Sequence, residues 1–269
     1  MLAALRRVYH ALVPLGLRRA LRVSRFSPDR RARANLWTKT GGRVAAGPFA
    51  GLRLAGNAPD DCYGPILIGS YECEVHEWLE RELRTGWPAM VNIKSNAGFY
   101  STGLALRTGG EVRVHAFEAD AAMRAETARS ATINGVHDRV QIHGPADIPT
   151  LSALESTGVT RALVVCDCEG MERELLDPSA VSWLGRSALC VELHDFAAPG
   201  VTDLLRTRFG ATHRIQVLEQ RPRDPVAWAA RVGVSVEDAQ RLTEELRPWA
   251  GANLPGRWLV ATPATAGRA

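Results

Sequence analysis

From Ala89 onward the chain alternates short apolar runs with helical stretches, and this alternation limits the possible folds more than any other feature. "AMVNI", "EVRVHAFE", "RVQIHG", "RALVVCD" and "SALCVELHD" read as strands. Between them, "SNAGFYSTGLALR", "DAAMRAETARSATINGV", "IPTLSALEST" and "GMERELLD" read as helices, with stop signals at Thr108–Gly110, Asn134–Gly135 and Pro178. Strands separated by crossover helices form a parallel sheet with both faces covered. A helix "VTDLLRTRFG", a strand "THRIQVLEQ", a helical stretch over 225–248 and a last strand "RWLVATP" follow. The last two strands have no conventional crossover helix between them, so they are expected as neighbours with one antiparallel.

The 269 residues suffice for one α/β domain with extensions or for two small domains. Three segments are expected: a basic amphipathic extension over 1–40, short strands and turns over 41–68, and the main domain over 69–269. The net charge of +4 is unevenly spread. Residues 1–40 hold ten Lys/Arg against Asp29 alone, and the remainder holds 23 basic against 28 acidic residues. The body is therefore net acidic, and the basic segment has few aromatics to stack on bases, which argues against nucleic-acid binding. Within 1–25, Leu2, Leu5, Tyr9 and Leu12 make one helical stripe beside six arginines. That pattern fits a peripheral helix on an anionic membrane face, or equally a helix docked on the domain with its arginines in water. No apolar run reaches the ~20 residues needed to span a bilayer. Five cysteines without a regular framework point to a reducing cytosol and to buried small hydrophobes. Cys166 and Cys168, along a probable strand, are expected on opposite faces and so as poor co-ligands.

Ligands of open α/β sheets sit beyond the carboxyl ends of the strands, at the point where the strand order reverses. The residues just after each strand are therefore the candidates. After the first strand comes "KSNAGF", which has only one glycine where a dinucleotide cradle would place several. After the second comes Glu118, 20 residues beyond Gly98, placed to accept both hydroxyls of a ribose. Any acid there would also serve the N-terminus of the following helix. Gly144 to Asp147 follow the third strand, Asp167 and Glu169 the fourth, and Glu192, His194 and Asp195 the fifth.

The blocks "VNIKSNAGFYSTGLAL", "VHAFEAD" and "INGVHDRVQIHG" resemble class I S-adenosylmethionine-dependent methyltransferases, and "LVVCDCEGMERELLDP" followed by "LCVELHD" resembles their FkbM-like branch. The resemblance covers about residues 69–262. It implies a Rossmann-like, seven-stranded, mostly parallel sheet with an antiparallel last strand, and S-adenosyl-L-methionine as cofactor. By the same resemblance Asn92, Ser95, Asn96 and Gly98 would approach the methionine part, and Glu118 with Ala119 the ribose. Ala146 and Asp147 would lie beside the adenine, Asp167 near the methyl donor, and Glu72 would face the site. The acceptor implied is a hydroxyl on a glycan or small natural product.

The catalytic candidates are His194 as base, with Asp167 and Glu192 to orient it. His194 also reads as a hydrogen-bonded histidine closing a strand. The acids could hold Mg²⁺, although caps and solvated carboxylates account for them equally, and no metal is expected. Lys94 departs from the resemblance, which has glycine there for a tight turn. Its ammonium would sit close to a sulfonium. Two functions follow: an O-methyltransferase, or a methyltransferase-fold binding protein impaired by Lys94. A nicotinamide enzyme is disfavoured, because the loop lacks a pyrophosphate cradle.

Overall fold

A computed structural model describes residues 27–53, 55, 60–110, 112–245, 248–249 and 252–264. The amphipathic stripe and arginines of residues 1–25 lie outside the described residues. Among the described residues, no helix is long and apolar enough to cross a membrane. The chain divides into two compact units.

The larger unit comprises Leu52–Gly56, Glu72–Arg221 and Gly256–Ala269. It opens with helix α3 (His76–Thr85) and alternates thereafter. β1 (Ala89–Ile93), α4 (Phe99–Arg107), β2 (Arg113–Phe117), α5 (Ala121–Ile133) and β3 (Val140–His143) form its first half. α6 (Ile148–Ala153), β4 (Leu163–Cys166), the single-turn α7 (Glu172–Leu175), β5 (Ala188–Glu192), α8 (Val201–Phe209), β6 (His213–Glu219) and β9 (Arg257–Pro263) complete it. The sheet order is β3-β2-β1-β4-β5-β9-β6. β3, β2, β1, β4 and β5 are parallel neighbours, and β9 runs antiparallel between β5 and β6. This is the Rossmann-like, seven-stranded sheet with one reversed strand that the sequence led us to expect. The absence of a crossover helix before the last strand is met by direct pairing, His213↔Pro263 through Glu219↔Arg257.

β1 and β4 are buried along their whole length, which is why their sequences run apolar without alternation. Asn92 is the polar exception within β1. Its amide donates to the Val165 carbonyl of β4 at 3.3 Å and accepts from Ser101 Oγ of α4 at 2.7 Å. A buried amide satisfied at both ends avoids the desolvation cost of an unmet polar group and ties two strands and a helix together. α3 is tied to β9 in a similar way: Trp78 Nε1 donates to Thr262 Oγ1, which donates to Glu82. The apolar core gathers Val91, Phe117, Val164, Trp183, Leu189, Phe209 and Leu259.

The smaller unit comprises Met1–Gly51, Asn57–Tyr71 and Pro222–Pro255. It contains α1 (Pro28–Thr40), α2 (Asp60–Ile68), α9 (Pro225–Val232), α10 (Val236–Leu242) and a short antiparallel pair, β7 (Pro248–Trp249) and β8 (Ala252–Asn253). Ser27 caps α1 by accepting from the Asp29 amide, and Arg241 of α10 bonds Asp29 and Glu237. Residues 60–68 are helical, where strands and turns were expected. The stretch 225–248, read as one helical run, is split. Gly233, with φ +69°, ends α9, and Ser235 caps α10 by accepting from the Asp238 amide.

Candidate functional site

Between β1 and β4 the connections diverge, β2 and β3 to one side and β5 to the other. The crevice at this switch point is where an open α/β sheet holds a ligand. Four non-glycine residues among those described have positive φ: Glu72 (+50°), Lys94 (+60°), Asn96 (+48°) and Glu169 (+52°). Lys94 and Asn96 stand in the turn after β1, and Glu169 in the turn after β4. Left-handed backbone costs a residue with a Cβ roughly 1–2 kcal/mol, and such strain concentrates at functional sites.

The turn after β1 is fixed mainly through its backbone. The Ser95 amide donates to the Phe117 carbonyl at 2.8 Å, and the Gly98 amide to the Ser95 carbonyl at 2.9 Å. Glu118, 6% exposed, holds the turn from β2: one carboxylate oxygen accepts from the Asn96 amide at 2.8 Å, the other from the Asp120 amide at 2.9 Å. Each oxygen keeps a second lone pair. Gly98, at φ +86°, lies so close to α5 that a Cβ would come within 2.9 Å of the Thr127 Cα. Ser95 is 4% exposed, and its hydroxyl has no hydrogen-bond partner among the described residues. A buried orphan hydroxyl in this loop is the kind of group a ligand satisfies.

The turns after β4 and β5 are organised through side chains. His194 is 3% exposed. Its Nδ1 lies 2.6 Å from Glu172 Oε1 and its Nε2 3.5 Å from Asp167 Oδ1. The Glu172 carboxylate can only accept, so it takes a hydrogen bond from Nδ1–H, and Nε2 is the ring nitrogen nearer Asp167. Burial alone would raise the Glu172 carboxyl, but the hydrogen bond and charge of His194 and the nearby backbone amides outweigh it and hold it below its ordinary value. Phe196 meets the His194 ring edge-on, with centroids 5.5 Å apart. One ligand atom each from Asp167, Glu192 and His194 lie within 4.8 Å of one another. One imidazole and two carboxylates could hold a divalent cation.

Lys94 joins the two halves. Its ammonium pairs with Glu169 across the crevice. Burial would lower its affinity for the proton, but the charges of Asp167, Glu169 and Glu118 outweigh that and hold it above the ordinary lysine value.

The remaining candidates are more dispersed. Glu72, 4% exposed, accepts from the Tyr100 hydroxyl. Asn92 points its amide into the bonds between β1, β4 and α4 described above. Ala119 is exposed, and its carbonyl accepts from Arg124. Ala146 packs against the core. Asp147 caps α6 in a reciprocal bond with Thr150, and that bond holds its carboxyl low. Asp195 bonds Thr202 and Arg257.

Two participants escaped sequence reading. Glu172 is the last acid of the acid-x-Glu-Gly-x-Glu stretch "DCEGME" after β4, but the sequence assigned it no role of its own at the site. Tyr100 follows Gly98 in "GFY" and reads as an apolar helix position.

Cys166 and Cys168 are a correction. They lie on the same side, Sγ to Sγ 3.4 Å, because successive side chains alternate and residues two apart on an extended chain share a face. Cys73, Cys166, Cys168 and Cys190 are free thiols. The hydrogen bond between the Cys166 and Cys168 thiols, together with burial, keeps the Cys166 thiol well above its ordinary value.

No protein-family model matches the chain, and no curated protein matches it. Solved structures do. A putative O-methyltransferase from Klebsiella pneumoniae aligns over 97% of both chains at 14% identity, with a TM-score of 0.45. An O-methyltransferase from Bacillus cereus, solved with SAH, aligns over 86% of this chain and 91% of its own at 11% identity and TM-score 0.43. The O-methyltransferase TomG from Streptomyces achromogenes, involved in tomaymycin synthesis and solved with SAM, aligns over 89% and 92% at 12% identity and TM-score 0.43. Likeness at this level carries no weight below, where conclusions rest on the chain's own residues.

Proposed function

We propose that the chain is an S-adenosylmethionine-dependent methyltransferase that acts on a hydroxyl of a small molecule, a glycan or natural product being the acceptor class. The observation that carries this reading is the Glu172–His194–Asp167 line at the ends of β4 and β5, beside the switch-point crevice. The crevice residues fit an adenosyl ligand. Glu118 has lone pairs to spare for a ribose diol. Ser95 offers an orphan hydroxyl, and the acids around Asp167 favour a cationic centre. When bound, the cofactor supplies an electrophilic methyl on a positive sulfur.

The chain's residues supply the rest. Asp167 and Phe196 flank the place where an acceptor oxygen would meet His194. Nε2 would take the acceptor's hydroxyl proton, and Glu172 would stabilise the resulting imidazolium, with the bound cofactor supplying the methyl and leaving as a neutral thioether. Phe196 and Met171, both exposed, present apolar surface at this rim and suit the ring face of a sugar or aromatic acceptor.

The test is calorimetry with S-adenosylmethionine, S-adenosylhomocysteine and NADH, followed by transfer of labelled methyl to a panel of hydroxylated acceptors. Binding of the first two without NADH, with label transferred, supports the reading. Binding of NADH alone overturns it. Lys94 favours a second reading, a methyltransferase-fold binding protein without turnover. Cofactor binding with no transfer to any acceptor, and no change on adding Mg²⁺ or Mn²⁺, would support that reading.

A further inference from the structure

We infer that Lys94 sets the charge preference of the crevice, making it a specificity-determining residue that disfavours a cationic sulfonium relative to the neutral thioether left after methyl loss. The inference rests on the reading of the crevice as an adenosyl site. The backbone places Lys94 there at a cost: its φ is +60°, a conformation that suits glycine. The side chain is not released to solvent. It is 29% exposed and bends across the switch point to Glu169, whose own φ is +52°. Two strained residues on opposite sides of one crevice thus meet through an ion pair.

The ammonium lies within the fields of Asp167, Glu169 and Glu118, the same acids that would otherwise favour a positive sulfur. A fixed positive charge among them offsets that attraction. The ammonium is itself partly buried, so its charge is screened less than that of a surface lysine and reaches a ligand's sulfur at several ångströms. It acts on the sulfonium and not on the thioether, which carries no charge at sulfur. The consequence is a site that holds demethylated product well relative to donor and is prone to product inhibition.

The test is the ratio of dissociation constants for S-adenosylmethionine and S-adenosylhomocysteine, measured at one pH and salt on the full chain. Lys94→Met removes the charge while keeping most of the bulk. It should shift the ratio toward S-adenosylmethionine about tenfold. Glu169→Gln leaves the ammonium without its partner's charge and should shift the ratio the other way by a few-fold. Circular dichroism establishes that each variant is folded, and the opposite directions guard against a general loss of structure.

Variants that bind both ligands with an unmoved ratio overturn this inference alone. So does equal weakening of both ligands in Lys94→Met, which would assign the ammonium to the ligand's carboxylate. Failure of the folded wild-type chain and both variants to bind either ligand overturns the adenosyl reading, and this inference with it.

Discussion

The turn after β1 and the turn after β4 face each other across one crevice, and each uses a buried glutamate differently. Glu118 uses both oxygens to accept backbone amides, so its charge holds the loop that would wrap a ligand. Glu172 uses one oxygen to orient the ring of His194. The first turn is preorganised through backbone, the second through side chains. A backbone-held loop suits recognition of an invariant ligand, because its donors cannot rotate away. A side-chain-held imidazole suits chemistry, because it can take and return a proton without moving the chain. Among the described residues, the Lys94–Glu169 ion pair joins the two turns.

Substitutions can break this division of labour. The largest effect is expected at His194. His194→Ala should lower turnover by roughly 10²–10⁴-fold while leaving S-adenosylhomocysteine affinity within a few-fold, measured by kinetics with labelled donor and by calorimetry. Comparable loss of both would make the residue structural. Next comes Glu118→Ala, which should weaken S-adenosylhomocysteine at least ~10-fold, since each charge-assisted bond is worth ~1.5–3 kcal/mol. Its kcat at saturating donor should fall far less. The mirror-image pattern at these two residues is the comparison in kinetic form.

A smaller effect bears on the fold alone. Gly98→Ala should destabilise the chain by about 2 kcal/mol, from its left-handed φ and the 2.9 Å approach to Thr127, read from urea unfolding midpoints. A midpoint equal to wild type would mean the turn relaxes freely, contrary to a preorganised loop. The smallest is the stability of Lys94→Gly. Relief of a left-handed residue gains ~1 kcal/mol, and loss of a partly exposed ion pair costs up to ~1 kcal/mol. Its unfolding midpoint should therefore differ little from wild type. A large drop would mean that the pair holds the two turns together, and its role would then be structural.

Much of this was legible in the sequence because the signals are local. Apolar runs bounded by Gly, Asn and Pro marked β1 to β5, and the residue after each strand marked Glu118, Asp167 and His194. What could not be read depends on approach in space. Glu172 acquires its role only because the β4 turn lies against the β5 turn, 22 residues away along the chain. Tyr100 and Glu72 meet across 28 residues. The Cys166–Cys168 contact was legible, since residues two apart on an extended chain share a face, and the expectation of opposite faces misapplied the period. Within 225–248 the helical pattern was visible, but a lone Gly233 did not announce that it was a stop. Lys94 stood out as a departure, yet its destination at Glu169 required the crevice.

The central claim is that the crevice between β1 and β4 binds an adenosyl ligand. Amide hydrogen exchange with and without saturating S-adenosylhomocysteine tests it most directly, because it reports where protection appears. The account predicts slowed exchange in peptides covering 93–98, 118–120 and 167–169, with little change across β6 at 213–219. Saturable binding that protects none of the first three segments, or that protects β6 instead, would contradict it.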